Sequence, residues 1–434
     1  MKQMKKWQRL LLACFFLIAA VSVASASGYD YPISDPYEAA ILGTPAKDMP
    51  SLPDEIRVKD LEMTVFPDRK IPEVFWYGDK LRYSLAWQKE KAPLIFMIAG
   101  TGAGYNSNKM VTMQKAFFQA GFHVISLPSP THTNFITTAS SSMLPGEIQG
   151  DCQDLYRVMQ LAWAAAKKKI EVSDFFLTGY SLGGAQSAFI SKLDDEEKKF
   201  NFKKVLMINP PVSLYDSAVK LDKMFTDNIP GGLKNFTGFY DSLMENVANA
   251  YKYGDAVDLN QGFFYNVFGD VLPTKGEVKA VIGFSFRLSA ANLFFVSDVM
   301  TQSGFIVPPG MPLTKTTSLT DYSKVAGRSG DFGFYVKNVL FPAYQKKNPG
   351  STLEQVIYES SLLSIEDYLK NTDKISLVTN EDDFILAQGD VDYFKRIFQS
   401  RAKIYPKGGH CGNMGYKDNI AYRIDFFKSE NKGN

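Results

Sequence analysis

The sequence predicts an α/β protein: a mostly parallel central sheet flanked by helices, with a largely helical segment inserted after the sixth strand. Three observations carry that expectation. From about residue 92 to 211, apolar runs of strand length alternate with segments of helical spacing. Between 212 and 372 the alternation stops, and the sequence is mixed, mostly helical in pattern and rich in aromatic residues. From 373 the strand–helix rhythm returns and runs toward the C-terminus.

The chain of 434 residues is long enough for one large domain carrying an insertion. Residues 1–26 stand apart. A basic start, "MKQMKKWQR", precedes the apolar "LLLACFFLIAAVSV" and ends in "ASA" at Ala26, the pattern of a cleaved secretory leader. Lipid attachment at Cys14 fits less well, because the apolar run continues well beyond it. Loss of Lys2, Lys5, Lys6 and Arg9 leaves 44 basic residues against 46 acidic. The expected product is an exported protein, periplasmic or extracellular, with no later run of membrane-spanning length. The expected parts are 1–26 as leader, 27–211 as the first part of the α/β core, 212–372 as insertion and 373–434 as the second part of the core.

After a Pro-rich stretch at 32–53 come "LEMTVF", "LRYSLAW" and "PLIFMIAG", the last a near-continuous apolar run suited to a strand buried on both faces. "KMVTMQKAFFQAG" has helical spacing and "FHVISL" is the next strand. A polar loop leads to the helix "DCQDLYRVMQLAWAAAKKK", the strand "SDFFLTG", the helix "SLGGAQSAFISKL" and the strand "FKKVLMINPP". Beyond the insertion follow the strand "KISLVTN", a helix near "VDYFKRIFQS", the strand "AKIYP" and a last helix around "NIAYRIDFFK".

Within this frame, "LTGYSLGGAQS" sets Gly179, Ser181 and Gly183 in a G-x-S-x-G pattern. The pattern follows a strand and opens a helix, the context that a nucleophile elbow requires. Glycines suit the strained backbone and close approach of such a turn. A serine hydroxyl needs a base, and the usual base is histidine. The chain has three. His123 begins an apolar strand and reads as structural, whereas His132 sits in a polar loop and is a candidate substrate contact. His410 alone follows the elbow, in the glycine-rich "KGGHCGNMGY". A carboxylate should orient the imidazole and stabilise its charged form. "ISLVTNEDDFIL" offers Glu381, Asp382 and Asp383 in the expected loop. Asp383 is favoured because "FIL" follows it directly; Asp382 is the near alternative and Asp216 a distant one.

"GTGAGYN" resembles a nucleotide-binding glycine turn but lacks the third glycine, and no acid follows before Gly146 to hold a ribose. Three scattered histidines and few cysteines give no metal-ligand cluster. No basic block points to nucleic acid. The expectation is therefore a site without cofactor or metal. Cys152 and Cys411, both placed near the carboxyl edge of the sheet, are expected to pair as a disulfide in an oxidising compartment.

The chain order Ser181, Asp383, His410 and the stretches "PLIFMIAGTGAGYNS", "GFHVISL", "GYSLGGA", "TNEDDFI" and "GGHCG" resemble the α/β-hydrolase superfamily over about residues 80–211 and 373–434. The resemblance implies a cap formed by the insertion. It also implies an oxyanion hole from the backbone N–H groups of Leu182 and Thr101. Many members have His-Gly where this chain has Ala99-Gly100, which leaves Gly102 as the alternative to Thr101. The expected activity is hydrolysis of carboxylic esters of small molecules through an acyl-serine intermediate. Phe263, Phe264, Phe268, Phe294 and Phe295 in the insertion suggest an apolar acyl group, or the insertion's own core. A peptidase or amidase on the same triad, and a non-catalytic binding protein on the same scaffold, are the alternatives.

Overall fold

The computed structural model describes residues 28–251 and 275–429. The expected leader with Cys14, and Phe263, Phe264 and Phe268, lie outside the described residues. All that follows concerns the compact unit beginning at Ile33.

Eight strands form one sheet: β1 (Val58–Met63), β2 (Leu81–Ala86), β3 (Ala92–Ile98), β4 (His123–Leu127), β5 (Val172–Tyr180), β6 (Lys204–Ile208), β7 (Ile375–Asn380) and β8 (Ala402–Tyr405). Their spatial order is β1-β2-β4-β3-β5-β6-β7-β8. β1 and β2 run antiparallel to each other, as do β2 and β4, and every other pair is parallel. Strands β4, β6 and β7 are buried along their whole length, as parallel strands covered on both faces must be.

The helices of the core are α1 (Pro36–Leu42), α2 (Asn108–Gln119), α3 (Thr133–Thr138), α4 (Ile148–Ala166) and α5 (Leu182–Glu197). Between β6 and β7 lie α6 (Leu214–Thr226), α7 (Phe236–Tyr251), α8 (Lys275–Thr301), α9 (Leu319–Ser329), α10 (Phe332–Tyr335), α11 (Phe341–Lys347), α12 (Leu353–Glu359) and α13 (Glu366–Asn371). Then come α14 (Asp390–Phe398) and α15 (Lys417–Lys428). Consecutive residues of β5 show how the strand period feeds two layers. The Phe175 ring meets Trp163 of α4 at 5.0 Å, and the Phe176 ring stacks on Phe427 of α15 at 5.4 Å.

The inserted helices form two apolar clusters, one around Leu293, Phe294, Phe295, Phe332 and Tyr335 that also takes in Val74, Phe75, Ile136 and Leu144 from outside the insertion, another around Phe225, Tyr240 and Phe284. Phe294 and Phe295 thus serve as buried packing, and Phe295 joins the insertion to the rest of the fold through an edge-on contact with Phe75 at 6.0 Å. A buried ion pair ties three segments. Arg287 Nε donates to Asp222 Oδ1 at 2.9 Å, Arg287 Nη1 to the Gly327 carbonyl at 3.2 Å, and the Phe332 N–H to Asp222 Oδ2 at 2.9 Å.

Two sequence expectations need correction. Helix α8, at 27 residues, is long and apolar enough by length and composition to cross a bilayer, contrary to the reading that no later run is. Two-thirds of its apolar window is buried in the fold, and its Arg287 is held by Asp222, so the apolar face packs against protein. The "THTNFITT" stretch, expected as loop, contains the short helix α3, and the Pro-rich stretch contains α1.

Candidate active site

The site is assembled at the carboxyl edge of the sheet from loops that leave β3, β5, β6, β7 and β8, where open α/β sheets place their ligands. Ser181 lies between β5 and α5 at φ 54° and ψ −122°, a left-handed conformation that costs a non-glycine residue strain. Its N–H donates to the Ile208 carbonyl at 2.8 Å, which helps to hold the turn. A Cβ on Gly179 would collide with the Gly183 carbonyl, and one on Gly183 with the carbonyls of Ile98 and Ala99. The sequence pattern therefore answers to contact between the helix start and two strands.

His410 reaches this serine. Its Nε2 stands 2.9 Å from Ser181 Oγ, and its Nδ1 stands 3.0 Å from Asp383 Oδ2 and 3.1 Å from Oδ1. The Nδ1–H donates to the carboxylate, which leaves Nε2 to accept from the hydroxyl. The Asp383 side chain has no solvent exposure. It is held by the Asn209 amide, which donates to Oδ2 at 2.9 Å, and by the Ile385 N–H at 3.2 Å. Burial, the largest single influence, presses His410 toward its neutral form, but the charge and hydrogen bond of Asp383 and the neighbouring Cys411 together outweigh it, and the imidazole pKa is raised to about 10.

The other acids of the loop do different work. Asp382 accepts the N–H groups of Gly409 at 2.8 Å and Gly408 at 3.1 Å, so it shapes the histidine loop from below. Glu381 pairs with Lys395 at 2.8 Å on the surface. Asp216 is in the first turn of α6, its N–H donating to Ser213 Oγ. The structure brings Asp383, and not Asp382 or Asp216, to His410.

The glycines around His410 have a reason that the sequence reading missed. A Cβ on Gly409 would overlap the Pro36 carbonyl, and one on Gly412 the Ala39 carbonyl. They admit the backbone of α1, and Thr44 Oγ1 adds a bond to the Gly412 carbonyl at 3.2 Å.

Leu182 and Thr101 line one small cavity with Thr131, Phe286, Ser289, Leu293 and Phe332. No hydrogen bond engages the N–H of either Leu182 or Thr101 among the described residues. The Gly102 N–H is taken by Thr131 Oγ1 at 2.7 Å. That leaves Thr101 the freer of the two donors considered in the sequence. The cavity measures about 20 Å³, room for about one water.

His132 is placed elsewhere. It caps α3, its Nδ1 accepting the Asn134 N–H at 3.2 Å; burial lowers its pKa to about 4, and it does not line this cavity. His123 accepts the Gln88 N–H through Nδ1 at 3.0 Å, with Nε2 at 3.0 Å from the Glu171 carbonyl. The expected Cys152–Cys411 disulfide is not formed: both thiols are free and buried. Cys152 packs in the sheet's core and donates to the Gln186 carbonyl of α5 at 3.6 Å, whereas Cys411 Sγ stands 3.7 Å from His410 Nε2. Each sulfur is committed to a different neighbour.

Among the described residues no group of His, Cys, Asp and Glu is arranged to hold a metal ion. Asn209 and Thr131 are the polar residues that sequence reasoning missed. The "MINPP" run did carry one signal: an asparagine at a strand end, a residue type that tolerates the positive φ of 46° seen there.

No protein-family profile matches the chain, and no curated protein matches it in sequence. Solved structures similar to it include Est1E from Butyrivibrio proteoclasticus, at 13% identity over 85% of this chain and 99% of that one, with a TM-score of 0.37. A Pyrococcus furiosus esterase matches at 10% over 86% and 92%, with a TM-score of 0.41. A hyperthermophilic esterase from the archaeon Pyrobaculum calidifontis matches at 14% over 86% and 84%, with a TM-score of 0.39. The strand order, the serine turn after β5, and the acidic and histidine loops after β7 and β8 give this chain the α/β-hydrolase fold.

Proposed function

We propose that the protein is an exported serine hydrolase that cleaves carboxylic esters of small molecules. The observation that carries the reading is the continuous hydrogen-bonded line from Ser181 Oγ through the His410 ring to the buried Asp383. In the proposed reaction Ser181 Oγ attacks the ester carbonyl while His410 Nε2 takes its proton. Asp383 keeps Nδ1 protonated and stabilises the imidazolium. The N–H groups of Leu182 and Thr101 receive the developing oxyanion. His410 then returns the proton to the leaving alcohol, and water, activated by the same ring, releases the acid.

The cavity lining supports esters over peptides. Among the described residues that line it there is no carboxylate to hold a peptide amine. Export rests on the leader-like pattern of residues 1–26.

The test is labelling of the purified protein with a fluorophosphonate probe, beside Ser181→Ala and His410→Ala. Labelling and ester hydrolysis should be present in the wild type and fall by about 10⁶-fold in turnover for Ser181→Ala. A folded wild type that neither labels nor hydrolyses any ester would move the non-catalytic binding reading to the front.

A further inference from the structure

Strands β3 and β4 are parallel neighbours with Ile98 opposite Leu127, so the loops that leave them run side by side at the carboxyl edge of the sheet. Each loop opens with a tight turn. In the first, the Ala103 N–H donates to the Gly100 carbonyl at 3.0 Å, with Thr101 and Gly102 as the central pair. Gly102 sits at φ 69° and Thr101 is not in the left-handed region, which makes this a type II turn with glycine where that turn demands it. In the second, the His132 N–H donates to the Ser129 carbonyl at 2.9 Å.

Two bonds join the turns. The Ser129 N–H donates to the Ala103 carbonyl at 3.0 Å, and the Gly102 N–H donates to Thr131 Oγ1 at 2.7 Å. Ser129 Oγ stands 2.9 Å from Thr131 Oγ1, and both residues are buried. The first turn also lies against the nucleophile. A Cβ on Gly100 would come within 3.2 Å of Ser181 Cβ and 2.6 Å of the Tyr180 ring. On its other side Gly102 meets α8, where an added Cβ would stand 3.0 Å from Ser289 Oγ. Thr101, Thr131, Leu182 and Ser289 line the same small cavity.

Type I and type II turns differ in the facing of their central peptide, and glycine at the third position admits both. Turning over the Thr101–Gly102 peptide would exchange the Gly102 N–H for the Thr101 carbonyl on the side of Thr131. That carbonyl would bring negative partial charge toward the place where an oxyanion forms, where catalysis calls for donors. The bond to Thr131 Oγ1 opposes this rotation.

We propose that Thr131 is a positioning residue for the oxyanion hole. Its hydroxyl fixes the Thr101–Gly102 peptide, keeps the Thr101 carbonyl out of the cavity and leaves the Thr101 N–H to receive the oxyanion. This rests on the hydrolase reading above.

The test compares Thr131→Val, which keeps the shape and loses the hydroxyl, with Thr131→Ser, which keeps the hydroxyl. Two quantities are read: steady-state hydrolysis of p-nitrophenyl acetate, and inhibition by an aryl trifluoromethyl ketone, which adds to a serine hydroxyl and leaves a charged oxygen in the oxyanion's place. For Thr131→Val, kcat should fall by about 10²-fold with KM little changed, the size of losing one oxyanion donor. The ketone should bind more weakly by a similar factor, because both effects report the transition state. Thr131→Ser should recover most of both losses. Gly102→Ala reaches the same peptide by another route, since alanine disfavours the positive φ of the type II turn. It should show the same pair of losses, and it carries the test if Thr131→Val does not fold. The double variant should lose little more than the worse single, because both act on one peptide. A folded Thr131→Val with wild-type kcat, or one that loses kcat while holding the ketone as the wild type does, overturns the role of Thr131 and leaves the hydrolase reading standing. So does a Thr131→Ser variant no better than Thr131→Val. A folded wild type without probe labelling or hydrolysis overturns the hydrolase reading, and the role of Thr131 with it.

Discussion

At the scale of single residues, the His410–Asp383 pair sets the expected pH behaviour. A base works only when neutral, and Asp383 raises the pKa of His410. Hydrolysis should therefore climb with pH as the ring loses its proton. Asp383→Asn removes the charge that favours the imidazolium, so the climb should move to lower pH. Turnover should drop by about 10⁴-fold, because the ring loses the partner that fixes its tautomer. A pH profile of kcat/KM for both proteins checks this, and an unmoved acid limb would remove Asp383 from the role. Asp382→Asn is the contrasting variant. Its carboxylate receives the Gly408 and Gly409 N–H groups and is not the one that meets His410, so its loss should lower kcat with the acid limb in place. Serine and histidine were legible because a local pattern and scarcity single them out. The choice between neighbouring aspartates was legible from the apolar "FIL" that follows Asp383, whereas the role of Asp382, which receives the Gly408 and Gly409 N–H groups, rests on contacts distant in sequence that no local pattern encodes. The thiols teach the same lesson: Cys152 and Cys411 share an edge of the sheet, yet each sulfur packs toward a different partner. Titration with an aromatic disulfide reagent should find both thiols unreactive in the native state and both reactive after denaturation.

At the scale of elements, the alternating core was readable because each strand announces itself as an apolar run and each helix by its spacing. What escaped were short elements with weak periodicity. Helix α1 has seven residues, yet Asp35 caps it, accepting from the N–H groups of Tyr37 and Glu38, and Pro36 opens it. That is a start signal a closer reading of "SDPYEAAIL" contains. The consequence reaches the site, because α1 lies against Gly409 and Gly412. Tyr37 also stacks on Phe384 at 5.0 Å, and the Phe384 ring meets that of His410 at 6.1 Å. Gly412→Ala should force α1 away from the histidine loop. The expected result is a loss of about 1–3 kcal/mol in stability, of the size that overpacking costs, and a fall in kcat larger than any change in KM. Denaturant melts and steady-state kinetics on one preparation check both. A variant with wild-type kinetics would show that α1 merely covers the loop.

For the molecule as a whole, there are two large apolar cores, that of the sheet and that centred on the inserted helices, and residues of the inserted helices line the cavity next to Leu182. The second was legible only in kind. Aromatic richness showed that residues 212–372 could bury something, but the long-range partners that decide how were invisible, Asp222 with Arg287 above all. That pair is almost fully buried, and burial pushes the Asp222 carboxyl up to about 6 despite the guanidinium beside it. Taking two charges out of water is repaid here by geometry, since Asp222 also accepts the Phe332 N–H and Arg287 also serves the Gly327 carbonyl. Phe332 in turn lines the cavity beside Ser181. Removing one partner leaves the other charged and unpaired in an apolar surrounding. Arg287→Ala should therefore destabilise the protein by about 3–5 kcal/mol. It should also loosen the wall of the cavity before the sheet melts, so that probe labelling of Ser181 becomes faster while the sheet's circular dichroism persists. Replacing both partners together, Asp222→Leu with Arg287→Met, removes the orphaned charge and should recover most of the stability. Wild-type melting of Arg287→Ala would mean that the ion pair adds nothing to the hold of the inserted helices, and that their apolar packing alone closes the site.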